Sequence, residues 1–355
     1  MTDAAITTLS GRAPAATRPD AGRWSDDRGF TLVELLTAAT VTLFVLSISV
    51  NALMQAQKTN QLATTIVDTN ANLRSGLNFM VRDLVQTGAG IPIGGIPIPN
   101  GAGSVVINRP SWAGGVTFPA GTALNSVTPG NSLGPAINGQ QTDIVNILYE
   151  DTSIDLGATG VTVTIGDANG TSATVAGVQI SGVVNGVDGG DLIMFENGLG
   201  RALQCVTSVN GQVMSFANND AFRLNQPGAA GGSIRALRDT VNNNWPTMRI
   251  KRIKMLTFYL EDPTGNAPRL MRRENFDTAR PIALVLENLQ MSYDIADGAT
   301  NPTNVAAPTS PSQIRKINLW LYGRSEKAIL ESRRNFRTYM ATQVSLRNLS
   351  FVNTL

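Results

Sequence analysis

Glu34 is the only ionisable residue in an apolar block at positions 30–54. A carboxylate inside a bilayer costs about 2.5 to 3.5 kcal/mol on insertion scales, so this one needs a partner or a task. Its place near the start of the block would also let it snorkel to the interface. Arg28 and Gly29 stand just upstream, so a cut after Gly29 would leave the apolar block on the product. Cationic chemistry is concentrated elsewhere, in Arg249-Ile250-Lys251-Arg252-Ile253-Lys254. Strand alternation puts Arg249 and Lys251 on one face, Arg252 and Lys254 on the other. Together with Arg272 and Arg273, and with Arg269, Arg333, Arg334 and Arg337 in the same half of the chain, they could meet DNA, an anionic polysaccharide or an acidic neighbour. The plainer reading is that these bases solvate a β-domain and pair with an acidic middle.

Catalytic chemistry is poorly supplied. The chain has no histidine, which removes Ser-His-Asp and Cys-His triads and His-containing zinc sites. Cys205 is the only cysteine, so an intrachain disulfide and a multi-Cys metal site are excluded as well. In Leu203-Gln204-Cys205-Val206 it reads as a buried strand residue. Asp167-Ala168-Asn169-Gly170 and Asp188-Gly189-Gly190-Asp191 lack the ligand succession and closing Glu of a calcium loop and read as turns. Glu150 and Asp151 are adjacent in sequence, which does not give the facing geometry of an acid/base pair. The expectation is a protein that is not an enzyme and needs no cofactor and no metal.

The elements that position these residues follow from pattern. Of 355 residues 42% are apolar, enough for a core, while only 15% are charged, below the roughly 25% of ordinary domains. The net charge of +2 hides a division: positions 86–200 carry one base and eight acids, positions 201–355 carry 20 bases and 11 acids. At about 1.5 Å per residue the apolar block is about 37 Å long, enough to cross a hydrocarbon core of about 30 Å. Beyond it the pattern becomes one-faced, with Leu62, Ile66, Leu73, Leu77, Met80 or Val81, and Leu84 at helical spacing. Gly88-Ala89-Gly90-Ile91-Pro92 ends it. One helix over 30–87 is predicted, apolar all round at first and then lying across a sheet.

Arg28-Gly29-Phe30-Thr31-Leu32-Val33-Glu34-Leu35-Leu36 resembles the processing signal of type IV prepilins. The resemblance implies that a prepilin peptidase cuts between Gly29 and Phe30 and N-methylates Phe30. It further implies that Glu34 attracts the new amino group of a neighbouring subunit during filament assembly, and such a pair of buried charges is stable only when matched. Arg23 and Arg28 would keep the leader cytoplasmic. The stretch 70–84, from Asn70-Ala71-Asn72-Leu73-Arg74 to Val81-Arg82-Asp83-Leu84, with Gly88-Ala89-Gly90 after it, resembles the helix end of PilW-type minor pilins. Positions 285–294, 314–325 and 344–348 are similar to that family's last strand regions, whereas 91–187 shows no clear resemblance. What it implies is an inner-membrane single-pass precursor, later part of an extracellular pilus, with other major and minor pilins as partners. DNA or an anionic surface ligand is a further candidate partner.

The remaining segments read as strands at 143–149, 161–165, 174–180, 191–195, 202–209, 212–216, 248–260, 269–272, 284–293, 314–322 and 340–346. Asn210-Gly211 is a hairpin signal. The Gly/Pro-rich stretch 88–139 and the loop 296–311 read as surface excursions. The expected organisation is a cleaved leader at 1–29, a membrane or filament-core half-helix at 30–57, and an amphipathic half at 58–87. A β-rich pilin domain follows at 88–355, with an insertion at about 91–245. The fold class is α+β, pilin-like: a long N-terminal α-helix on an antiparallel sheet. A minor pseudopilin of type II secretion would carry the same N-terminus, and a pilus-borne DNA-binding or adhesion subunit is the reading from a different class.

Overall fold

The computed structural model describes residues 29–99, 107–114, 116–118, 121–181, 186–262, 264–329 and 332–350. The leader expected at 1–29 lies outside these, apart from Gly29. Helix α1 runs Leu32–Gln86, close to the predicted span, and the chain divides into two units after Thr59. In the first unit every described side chain of the helix is exposed, including Leu43, Phe44 and Leu46. This helix is long and apolar enough to cross a membrane. Its hydroxyls are satisfied locally: Thr40, Thr42 and Ser49 donate to the carbonyls of Leu36, Ala38 and Val45 at 2.7, 2.7 and 2.8 Å. A polar atom thus costs little in an apolar stretch, because its partner is one turn back.

The second unit is β-rich. Along the chain come β1 (Ile96–Pro97), β2 (Ala123–Leu124), β3 (Val127–Gly130), β4 (Ala136–Ile137), β5 (Gln140–Gln141) and β6 (Ile144–Glu150). Next are β7 (Thr162–Ile165), β8 (Ser172–Ala176), β9 (Leu192–Asn197), β10 (Gly200–Cys205), β11 (Ser208–Asn210) and β12 (Val213–Ser215). The long C-terminal strands are β13 (Arg249–Glu261), β14 (Arg269–Glu274), β15 (Arg280–Leu284), β16 (Leu286–Ile295), β17 (Ile314–Ala328) and β18 (Asn335–Ser345). All pairings are antiparallel. The axis of the largest sheet is β13, which pairs with β9 through its first half, with β14 through its second, and with β6 in between. β7, β8, β12 and β11 form a second sheet, and β16, β17 and β18 a third.

The second half of α1 is held by its apolar face. Leu73, Leu77, Met80 and Leu84 share one core with Leu256, Phe258, Leu289, Leu319 and Leu321. The approach is close because two glycines meet it: a Cβ on Gly76 would lie 2.9 Å from the Cβ of Ala283, and one on Gly323 would lie 3.1 Å from Leu73. Asn72 clamps the sheet edge from the helix, accepting from the Leu284 N–H at 3.2 Å and donating back to its carbonyl. At the helix end Gly88 takes φ +80, and the Asn348 amide donates to the carbonyls of Val85, Gln86 and Thr87 at 3.4, 3.3 and 3.2 Å. Carbonyls that a helix leaves open are thereby filled.

Four expectations need correction. Leu62 is exposed and Ile66 only half-buried, so burial of the helix starts at Thr69 instead. The stretch 88–139 is no surface excursion throughout: Ile91, Ile96, Leu124 and Val127 are buried, and β3 joins the main sheet. The strand expected at 202–209 is two, β10 and β11, in different sheets. The hairpin after it is present, with Gly211 at φ +60 in the first of two loop positions, as a type II′ turn requires. Finally, 284–293 breaks at Val285, whose φ of +55 separates β15 from β16. Within the region expected as an insertion at about 91–245, β6 and β9 are both hydrogen-bonded to β13.

Candidate functional site

The N-terminal segment is built around a reciprocal cap. Thr31 precedes the first helical residue, and its backbone N–H and hydroxyl both donate to Glu34 Oε2, at 3.0 and 2.9 Å. The Glu34 N–H donates to Thr31 Oγ1 at 3.2 Å in return. Thr-x-x-Glu is the capping-box spacing, which satisfies two backbone donors at once. This motif was present in the sequence as Thr31-Leu32-Val33-Glu34, and a reading centred on the charge of Glu34 passes over it. Both bonds from Thr31 fall on one carboxylate oxygen, and Oε1 has no hydrogen-bond partner among the described residues. Gly29 and Phe30 lie before the helix in exposed chain without regular structure. Apart from its chain neighbours, no atom of the described residues comes within 4 Å of where a Gly29 Cβ would stand.

The basic residues of β13 and β14 are brought together, but not as an open cationic face. Lys251 pairs with Glu150 at 2.9 Å. Arg252 lies 2.6 Å from Asp151 and 3.6 Å from Asp191, and Lys254 lies 3.1 Å from Asp151 and 2.8 Å from Glu274. Arg272 reaches the buried Asp83 of α1 at 2.6 Å and Glu274 at 3.4 Å. Arg273 is spent on the carbonyls of Ser111, Phe276 and Asp277. Of the six candidates for an anionic partner only Arg249 is exposed. The physical reason is alternation on a doubly covered sheet: both faces of β13 are packed, so its charges had to be matched by acids from the middle of the chain.

These pairs set the local ionisation. Burial works to raise the Asp151 carboxyl, but the Ser153 N–H and the Lys254 ammonium outweigh it and hold it below its ordinary value. Burial works to lower Lys254, and Glu274 and Asp151 outweigh it and raise it. Cys205 is buried and its thiol is pushed up to about 12, chiefly by desolvation, so it is no ready nucleophile. Asp167 accepts from the N–H groups of Asn169 and Thr171 at 2.7 and 3.0 Å, closing a turn. No group of three or more Cys, Asp or Glu suited to a metal ion occurs among the described residues. Compared with known proteins, the chain matches no family model, no curated protein and no solved structure.

Proposed function

We propose that this chain is a minor subunit of a type IV pilus, cut by prepilin peptidase between Gly29 and Phe30, methylated on Phe30 and assembled near the filament tip to prime assembly. One observation carries the reading. The Arg28-Gly29-Phe30 signal places its scissile bond in exposed chain directly before a capped helix that is long and apolar enough to cross a membrane. The precursor waits in the inner membrane. Its apolar half-helix then leaves the bilayer for a bundle of like helices, and the β-rich unit faces outward. Two jobs fall to Glu34: one oxygen caps its own helix through Thr31, and the other is open to the amino group of a neighbouring Phe30. A charge pair in a low-dielectric bundle selects the register that completes it.

Substitution separates the two jobs. Glu34→Gln keeps a carbonyl acceptor for the cap but removes the charge, whereas Glu34→Ala removes both. Both variants should insert and be cleaved, and both should fall about tenfold in recovery from sheared filaments, because about 1.4 kcal/mol corresponds to one decade. Normal recovery of the Gln variant would refute the charge pairing. Gly29→Ala should leave a full-length precursor on an immunoblot, and ordinary cleavage there would remove the assigned site. Co-purification with a secretion apparatus and not with sheared pili would favour the type II pseudopilin.

A further inference from the structure

The outward face of the β16-β17-β18 sheet has no part in the processing, capping or charge pairing above. Alternation sends Leu289, Met291, Leu319, Leu321 and Val344 into the core, so their chain neighbours point away from it. Gln290, Trp320 and Ala341 register in one cross-strand row, and Asn288, Tyr322 and Tyr339 in the next. The Tyr322 and Tyr339 rings stack with centroids 5.4 Å apart and planes 29° apart. Tyr322 remains 38% exposed and Tyr339 61%. A cross-strand aromatic pair stabilises a sheet, but a ring as open as Tyr339 leaves apolar area in water that sheet packing does not use.

Ala341 turns these rings into a shaped surface. It is exposed on edge strand β18 between Tyr339 and Gln343, with Trp320 beside it on β17. Residues two apart on one face are about 6.7 Å apart, so the short methyl group leaves a notch about one sugar ring wide. Hydrogen-bonding groups lie on the same face, Gln343 next along β18 and Asn288 across β17. The Asn288 carbonyl oxygen accepts from Gln290 at 2.9 Å, and the Gln343 amide donates to Asn318 at 2.8 Å and to Asp294 at 3.1 Å. The Asn288 amide nitrogen and the Gln343 amide oxygen have no hydrogen-bond partner among the described residues.

Charge selects the ligand class. Glu287 binds Arg337 at 2.6 and 3.1 Å and lies 3.3 Å from Arg324, while Asp294 lies 4.0 Å from Lys316. Three bases face two acids on this face and each base has an acid partner, so little open positive charge remains with which to neutralise phosphates. Aromatic faces, open amides and near-neutral charge together suit a polyol with apolar C–H faces. We propose that this face binds a neutral saccharide chain, one ring lying on Tyr339 across the Ala341 notch and hydroxyls of successive rings meeting Gln343 along β18 and Asn288 across β17. The proposal does not rest on the filament reading.

The test uses the full chain in a detergent that carries no sugar headgroup, titrated with oligosaccharides of β-1,4-glucan, chitin and mannan, and separately with oligothymidylate. Binding is followed by the change in tryptophan emission on titration, which is lost in a Trp320→Phe variant if Trp320 is its source, and by calorimetry. At least one neutral oligosaccharide should saturate, with an affinity unchanged by about 0.5 M salt. Tyr339→Ala should weaken it about tenfold and Tyr339→Phe less than about twofold, since stacking and not the hydroxyl carries the contact. Ala341→Arg fills the notch without removing a ring and should abolish binding. Both positions are exposed, and thermal melts confirm that the variants fold. The proposal is overturned if no neutral oligosaccharide binds, if binding survives Tyr339→Ala and Ala341→Arg, or if only oligothymidylate binds and does so in a salt-sensitive way.

Discussion

The two halves of α1 are one continuous helix written for two different surroundings. Before Thr59 no described side chain of the helix is buried, and the residues are mostly apolar, with Glu34 and Lys58 as the charged ones. After it, Leu73, Gly76, Leu77, Met80, Asp83 and Leu84 are buried at helical spacing. Each half holds a carboxylate that its setting would otherwise reject. Glu34 is satisfied by Thr31, three residues away, whereas Asp83 is satisfied by Arg272 on β14. On the proposed function the first half exchanges one apolar environment for another, and such a segment can rely only on partners it carries with it. A segment that never leaves its sheet can borrow a charge from far along the chain.

The contrast is broken most strongly by removing volume. Leu73→Ala should cost about 3 kcal/mol in urea unfolding followed by tryptophan emission, as buried leucines do. Leu43→Ala, in the exposed half, should leave the same transition unmoved, and a matching loss there would show that the two halves are not distinct. Adding volume should act next: Gly76→Val sets a Cβ 2.9 Å from that of Ala283 and should cost about 2 kcal/mol by overpacking. Asp83→Asn comes third at about 1.5 kcal/mol, because Arg272 keeps Glu274 at 3.4 Å. Combining it with Arg272→Met should cost less than the sum of the single changes.

Ionisation sharpens the same contrast. The Asp151 carboxyl is depressed in the fold, so its contribution is present above its ordinary 3.8 and is lost as pH falls through the lower folded value. The Lys254 ammonium is raised, so its contribution is complete below 10.5 and is lost as pH rises through the folded value. The Asp151 contribution should therefore fall away on the acid side, and Asp151→Asn should remove that part of the pH dependence in denaturation of the β-rich unit. The smallest effect belongs to the cap. Thr31→Ala should fray the helix start by about 1 kcal/mol, seen as faster amide exchange at residues 32–34, with the β-rich unit unchanged.

The helix and most strands were legible because each buries one face and repeats its period, as with Leu73, Leu77 and Leu84 or the alternation through β17. The partners were not. Arg272 and Asp83 are 189 positions apart, and no local pattern announces that they meet. Gly and Pro between 88 and 139 correctly mark turns, but whether a turn is covered depends on what packs over it, here the cluster around Ile96 and Leu124. The break of 202–209 had a weak signal in Thr207, whose N–H is given to Ser215 and not to the strand that holds Cys205. The capping box was open to reading and was masked by the more conspicuous charge of the same residue.

The bond from Asn348 to the Thr87 carbonyl spans 261 positions, and with it go those to Gln86 and Val85. A chain delivered from its N-terminus presents the end of α1 long before it presents the amide that closes it. β18, which pairs with β17, also arrives late. Completion of this unit is therefore timed by synthesis: the helix end stays without its amide cap until Asn348 has been made, and a product truncated before Asn348 keeps an open helix terminus.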